Sequence, residues 1–570
     1  MTKPPQQTSC PVPEAERTWW KESVVYQIYP RSFADSDGDG IGDIPGIIDR
    51  LDHVADLGAD AIWLNPVYES PQHDNGYDIS DYRSIHHEYG TMGDWEELLA
   101  QVHERDMRLV MDLVVNHTSV DHEWFQRSRR RDPDYEDYYI WREGEDGEAP
   151  NNWESFFGGS AWTYDEERGK YYLHLYDESQ PDLNWRNPAV RRDIFDTMEW
   201  WLEKGIDGFR LDVINLLSKA AGLPDGDPDA EWTGARHFVD GPRLLAYLEA
   251  MDEQVLSNYD AMTVGEMPQL SVEQARKYAG TDGPLDMAFH FQHTKLDYED
   301  GKRWSVGDWD LPELKQITRR WHDGLSAEGW NALFWENHDQ PRVVSRYGDP
   351  ETYHRESATM LGTFMLTRSG TPYVYQGQEL GMTNAQWTDV ESLADVDARR
   401  ATRELLDSGQ YDSFEEVADI VGYRSRDNAR TPMQWDDSDH AGFTDGEPWL
   451  PVNTNYEEVN VAAQADDSVT AYYRSLIELR AEHDAFVYGT YEDLHPEHER
   501  LAAYTQTLEY PDGGVSERML AVLNFSADRE PVELPTTVED ADLLLSNYDR
   551  DAITPTTAHE PYEARVFRLE

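Results

Sequence analysis

GFRLDV, residues 208–213, is the stretch on which the fold turns. It reads as a buried apolar strand that ends on a carboxylate, Asp212, with Arg210 two residues earlier on the same strand face. TVGEM (263–267) and ENHD (336–339) repeat the arrangement and end on Glu266 and Asp339. Working outward, further strand-like runs are VVYQIY (24–29), AIWLNP (61–66), LVMDLVV (109–115), AFHF (288–291), ALFWEN (332–337) and PYVYQG (372–377). Amphipathic helical stretches lie between them. Eight such units predict the α/β class and, within it, a parallel (β/α)8 TIM barrel. Chemistry is then expected just past the C-terminal ends of the strands.

The spacing of the runs divides the chain. The barrel takes 18–117 and 186–490. The segment 118–185, rich in Trp, Tyr, Asp and Gly, reads as a small domain inserted after the third strand. A second excursion, about 384–430, predicts a lobe beside the pocket. Short alternating stretches such as LAAYTQTLEY and MLAVLNFS predict an antiparallel β-sandwich domain over 495–570.

Composition sets the surroundings. Apolar residues make up 39% of the 570, enough for a sizeable core. Acidic residues number 113 against 49 basic ones, a net charge of −64, and only 9 of the basic residues are Lys. The carboxylates are spread along the whole chain, not gathered in a tail. So acidic, Lys-poor a surface repels itself in dilute buffer and is screened by dense salt, which predicts a halophilic protein from a salty cytoplasm. Nucleic acid and anionic membranes are excluded as partners by charge. A lone cysteine, Cys10, allows no internal disulfide. The first residues lack the apolar core of a secretion signal and no 18-residue apolar run occurs, so a soluble, cytoplasmic protein, monomeric or a small homo-oligomer, is expected.

Paired carboxyl groups at neighbouring strand ends suit glycoside cleavage, in which one attacks the sugar and the other protonates the leaving oxygen. A neighbouring Arg210 would keep Asp212 ionised and low in pKa, as a nucleophile requires. Glu266, followed by Met267 and Pro268, has the partly apolar setting of a proton donor. Asp339 and His338, with His117 at the mouth of the third strand, can bind sugar hydroxyls.

In order, DLVVNH (112–117), GFRLDV, TVGEM and ENHD resemble the four signature regions of the α-amylase family, glycoside hydrolase family 13. QPDLNW (180–185), HDNGYDISDY (73–82) and NARTPMQW (428–435) resemble its oligo-1,6-glucosidase and α-glucosidase branch. The resemblance implies retaining hydrolysis, with Asp212 as nucleophile, Glu266 as acid/base and Asp339 as transition-state stabiliser. It also implies that Asp74, Tyr77, His117, Arg210, His338 and Arg430 line the subsite for the terminal glucose. An Asp74–Arg430 pair would close that subsite from behind and make the enzyme exo-acting on small oligosaccharides.

The loop DSDGDGIGD (35–43) alternates carboxylates with glycines and opens like an EF-hand, but Gly46 stands where the twelfth-position Glu would be. By itself, in so acidic a chain, this is better read as an acidic surface turn. The family resemblance implies a structural Ca²⁺ held by Asp35, Asp37, Asp39, the carbonyl of Ile41 and Asp43, with Mg²⁺ or another cation as alternatives.

Linkage preference rests on Val213, which resembles α-1,6-specific members, and on Glu336, where those members commonly carry Asn. Alternatives are trehalose-6-phosphate hydrolysis and sucrose isomerisation or glucosyl transfer; against isomerisation, KLDYED (295–300) lacks the arginines of the isomerases. A non-catalytic, transporter-associated domain would need a membrane span and would have lost its carboxylates.

Overall fold

The computed structural model describes residues 11–13, 16–144, 146–409, 411–511, 513–535, 541–550 and 554–569; Cys10 lies outside them. Eight parallel strands form the barrel: Val25–Ile28, Ala61–Leu64, Arg108–Val114, Gly208–Asp212, Met262–Glu266, Met287–Phe289, Ala332–Leu333 and Thr371–Tyr375. The first six pair in sequence order, and the seventh pairs with the eighth. The eighth strand then pairs with the first, Val25 opposite Tyr373, and a parallel bridge between Ala288 and Asn331 closes the ring. This is the predicted TIM barrel.

Strand alternation sorts the side chains. Residues such as Tyr26, Ile62, Leu109, Phe209 and Leu211 face outward and pack under the helices in the main core. The opposite set, including Val25, Trp63, Val110, Val264, Phe289 and Tyr373, fills the barrel interior. Two residues further along several of the same strands the inward positions become polar: Gln27, Asp112, Arg210, Asp212 and Glu266. The barrel is therefore dry below and charged at its C-terminal mouth.

The seventh strand is only two residues long, against the predicted six. Glu336 leaves the ladder to pair with Arg342 at 3.0 Å, and Asn337 Oδ1 takes the Asp339 N–H at 2.8 Å. Those bonds bend the chain early and turn His338 and Asp339 over the mouth.

After the third strand, Trp141–Arg142, Trp162–Asp165 and Lys170–Leu173 form a small antiparallel sheet within the expected inserted segment. Bridges from His117 to Asp182 and from Tyr139 to Leu183 hold it against the barrel mouth. Helices Val396–Asp407 and Phe414–Arg424 build the lobe after the eighth strand around Trp387, Leu393, Val417 and Val421. At the C-terminal end, the described residues form one five-stranded antiparallel sheet beginning at Thr490. The two facing sheets of a sandwich are not seen there; the helices Leu311–Leu325 and His354–Leu366 pack against this sheet in place of a second one. Among the described residues no helix is long and apolar enough to cross a membrane.

Candidate active site

At the mouth of the barrel lies a cleft of about 1130 Å³, counted to its opening. Asp212, Glu266, Asp339, Asp74, Tyr77, His117 and Val213 all line it. Sequence positions more than 260 residues apart thus converge because each lies at the end of a barrel strand or on the connection that follows it.

Arg210 organises the floor. Asp112 stands directly across from it in the ladder between the third and fourth strands. One arm, Nη1, donates to Asp112 Oδ1 and Asp212 Oδ1, both at 2.8 Å. The other arm, Nη2, meets Glu266 Oε2 at 2.7 Å. The guanidinium lies over the Trp63 ring, 5.0 Å from its centre. One cation therefore serves three carboxylates, and the expectation that Arg210 holds Asp212 low does not stand. Burial pushes the Asp212 carboxyl well above the usual range; Arg210 opposes this, and nearby Glu266 and Asp112 reinforce it.

Val213, next in the chain, has φ +36°. That left-handed conformation is costly for a β-branched residue, of order 1–3 kcal/mol, and such strain gathers at functional sites. Here it has a visible result: the Val213 N–H donates to Glu266 Oε2 at 3.1 Å, tying the two strand ends together.

Asp339 sits under different control. Burial would raise its carboxyl, but His338, Arg430 and Arg426 outweigh burial and hold it well below the usual range. Arg430 Nη2 donates to Asp339 Oδ1 at 2.7 Å, and Arg426 Nη1 stands 3.5 Å from the same oxygen. His338 accepts at Nδ1 from Gln27 at 2.9 Å, which leaves the Nε2 proton facing Asp339 Oδ2 at 3.1 Å. Burial pushes His338 below its ordinary value, so its ring is neutral near pH 7 and the two arginines carry the charge beside Asp339. The His338 ring stacks on Tyr77, whose hydroxyl donates to Asp112 at 2.9 Å.

The closing pair differs from expectation. Asp74 meets Arg426 Nη2 at 3.2 Å, not Arg430. Arg426 and Arg430 lie four residues apart about a single helical turn and face the same way; the second arginine is taken by Asp339 and the first reaches across to Asp74. Asp395 steadies Arg426 from behind at 2.8 Å. Burial raises the Asp74 carboxyl to about 6 against the pull of both arginines. Gln180, the first residue of QPDLNW, donates to Asp74 Oδ2 at 3.1 Å and approaches His117 Nε2 at 3.3 Å. Burial pushes His117 down to about 4, so its ring is neutral near pH 7.

Asp112, Gln27, Gln180 and Arg426 were thus missed as site residues. Asp112 and Gln180 lay inside quoted motifs, and the i, i+4 repeat of arginine was the available signal for Arg426. Glu336 pairs with Arg342 and does not line the cleft.

In the acidic loop, Asp35, Asp37 and Asp39 each bring a carboxylate oxygen within 4.8 Å of the others. Asp43 does not join them: it caps the helix Ile44–Leu57 by accepting the Gly46 N–H at 2.6 Å, and its second oxygen takes the N–H and hydroxyl of Ser36 at 2.9 Å each. The N–H of Ile41 donates to Asp39 at 2.8 Å.

Residues 27–489 match the alpha-amylase catalytic-domain family. The chain is 50% identical over 565 residues to an oligo-1,6-glucosidase of Parageobacillus thermoglucosidasius, covering 97% of this chain and 99% of that one. It is 47% identical over 561 residues to a trehalose-6-phosphate hydrolase of Bacillus subtilis strain 168, with 97% and 98% covered. The crystal structure of isomaltulose synthase from Klebsiella sp. LX3 superposes with a TM-score of 0.93 at 42% identity, covering 97% of this chain and all of that one. A TIM barrel with carboxylates converging at its mouth, matched over nearly its whole length by such enzymes, is a glycoside hydrolase, and this chain belongs to the α-amylase family.

Proposed function

We propose that the enzyme is a retaining, exo-acting α-glucosidase that removes terminal glucose from short neutral α-glucosides such as isomaltose, maltose or sucrose. The observation that carries this reading is that Asp212 and Glu266 are held by the two arms of one guanidinium. Retention needs carboxyl groups about 5–5.5 Å apart, whereas inversion leaves room for a water between them. Two carboxylates sharing one guanidinium suit the closer spacing.

Glu266, carrying the proton, gives it to the glycosidic oxygen as Asp212 attacks the anomeric carbon. The C–O bond breaks, the free alcohol leaves and glucose is held as an ester of Asp212. Water, deprotonated by Glu266, then displaces Asp212 and restores both groups. Attack uses the ionised form of Asp212, which the Arg210 Nη1 bond to its Oδ1 favours against burial and against the neighbouring carboxylates. Asp339, kept anionic by Arg430 and Arg426, binds the sugar hydroxyls beside the reacting carbon. The Asp74–Arg426 pair, braced by Gln180, closes the far wall and favours chain ends.

Neutral acceptors fit the outer cleft. Its cations, Lys295 and Arg303, stand 3.5 Å from Glu231 and 2.6 Å from Asp397, so a substrate phosphate would compete with a carboxylate for each. Asp297 of KLDYED is committed to Arg346 and Arg424 and supports a structural role for that segment. The oxygen set of Asp35, Asp37 and Asp39 suits a hard cation such as Ca²⁺, which would brace the loop after the first strand.

The deciding experiment gives the enzyme isomaltose, maltose, sucrose, trehalose and trehalose-6-phosphate in concentrated KCl and follows the released glucose by NMR. Release of α-glucose from the neutral disaccharides is expected. Initial β-glucose would overturn retention, and a preference for trehalose-6-phosphate would overturn the substrate class. Asp212→Ala should lose on the order of 10³-fold or more in kcat while staying folded.

A further inference from the structure

Away from the cleft, Glu69, His86 and His87 each bring a metal-binding atom within 4.8 Å of the others. Glu69 ends the strand Tyr68–Glu69, and the histidines directly follow its antiparallel partner Asp81–Ile85. The chain between these two strands carries Asp74 and Tyr77 into the active-site cleft. The three side chains therefore meet at the base of a hairpin whose tip forms part of the glucose pocket.

The buried His86 ring is oriented at both ends. Its Nδ1 lies 3.3 Å from Glu69 Oε1, and its Nε2 lies 3.3 Å from Glu88 Oε2. Glu88 is held in turn by Arg31 Nη1 at 2.9 Å. Histidines that bind metal use one ring nitrogen for the ion and give the other N–H to a carboxylate, which fixes the ring. His86 already stands in that arrangement, with Nδ1 facing Glu69 and Nε2 facing Glu88. The exposed His87 ring sits edge-on to it, 4.4 Å between centres. Asp121 and Glu123 border the same depression and add negative potential.

We propose that Glu69, His86 and His87 form a binding site for a divalent transition-metal ion of the zinc class. Two imidazoles and one carboxylate favour Zn²⁺, Co²⁺ or Ni²⁺ over Ca²⁺ and Mg²⁺, which prefer all-oxygen sites such as Asp35, Asp37 and Asp39. Three protein ligands leave a fourth position for water. Ligand distances of about 2.0–2.1 Å would draw the three atoms in by about an ångström, a movement open to His87 and to Glu69, whose side chain is 40% exposed. Because its ligands come from both legs of the hairpin, the ion would clamp them together.

The test uses the full-length protein in concentrated KCl with excess CaCl₂, which fills all-oxygen sites. Titration with CoCl₂, read by visible absorption, and with ZnCl₂, read by calorimetry, should give one equivalent of each at a common site. Glu69→Gln and His87→Asn, both outside the core, should each weaken binding at least tenfold, and together should abolish the cobalt spectrum. Asp37→Asn should leave both titrations unchanged. Absence of saturable binding, or unchanged affinity in the double variant, would overturn the site: His86 would then be only a bridge between two carboxylates.

Discussion

At the scale of the residue, Asp74 shows how burial tunes recognition. With its carboxyl raised to about 6, it is ionised above that pH and protonated below it. An ionised carboxylate makes the stronger hydrogen bond to a sugar hydroxyl and the stronger pair with Arg426. KM for a terminal glucoside should therefore climb as pH falls from 7 to 5. In Asp74→Asn it should stay high and flat across that range, and a flat wild-type profile would exclude Asp74 as the titrating group. Arg426→Lys should lower kcat/KM by about 10–100-fold, since lysine cannot reproduce the forked contacts to Asp74 and Asp395. Asp212 and Glu266 were legible in the sequence because strand period and barrel position together aim a terminal carboxylate at one mouth, whereas Asp339 reaches it by a bend six residues past its strand. The choice between Arg426 and Arg430 was not, because a four-residue interval puts both on one side of a helical turn and only the tertiary placement of Asp74 decides. The sharing of Arg210 was hidden for a related reason: Asp112 lies opposite it through cross-strand register, which no local pattern reports.

Among the elements, the lobe after the eighth strand depends on one buried acid. Asp297 meets Arg346 at 2.6 Å and Arg424 at 2.8 Å, with all three side chains essentially inaccessible. It thereby joins the loop after the sixth strand to the helix Phe414–Arg424 and to the short helix Val343–Tyr347. Asp297→Ala would leave two buried guanidinium groups without their carboxylate and should destabilise the fold by about 3–5 kcal/mol, measured from the denaturant midpoint. The lobe also supplies Arg426, so this variant should lose affinity for substrate before it unfolds. The existence of the lobe was legible from an overlong connection, and the inserted sheet likewise. The seventh strand was read too long because ALFWEN continues its apolar run past Leu333, while the bonds made by Glu336 and Asn337 that end the ladder involve residues further along the chain. Asp43 had a further reading: alternation grouped it with its acidic neighbours, and its place before Ile44 and Pro45 also makes it a helix cap.

For the whole molecule, charge is the dominant fact. At −64, self-repulsion reaches across the surface in dilute buffer, where the screening length is about 10 Å at 0.1 M salt, and shrinks to about 3 Å at 1 M. Thermal midpoint and activity should rise together from 0.1 to 2 M KCl, and full stability in dilute buffer would sink the reading of salt adaptation. The barrel closure described above also sets a timetable. Val25 pairs with Tyr373, which a ribosome adds about 350 residues later. At synthesis rates of roughly 5–20 residues per second, the first strand waits about 20–70 s with one edge unsatisfied. An open edge held that long invites pairing between neighbouring nascent chains. The many carboxylates spread along the chain would, on the polysome, keep those unfinished edges apart.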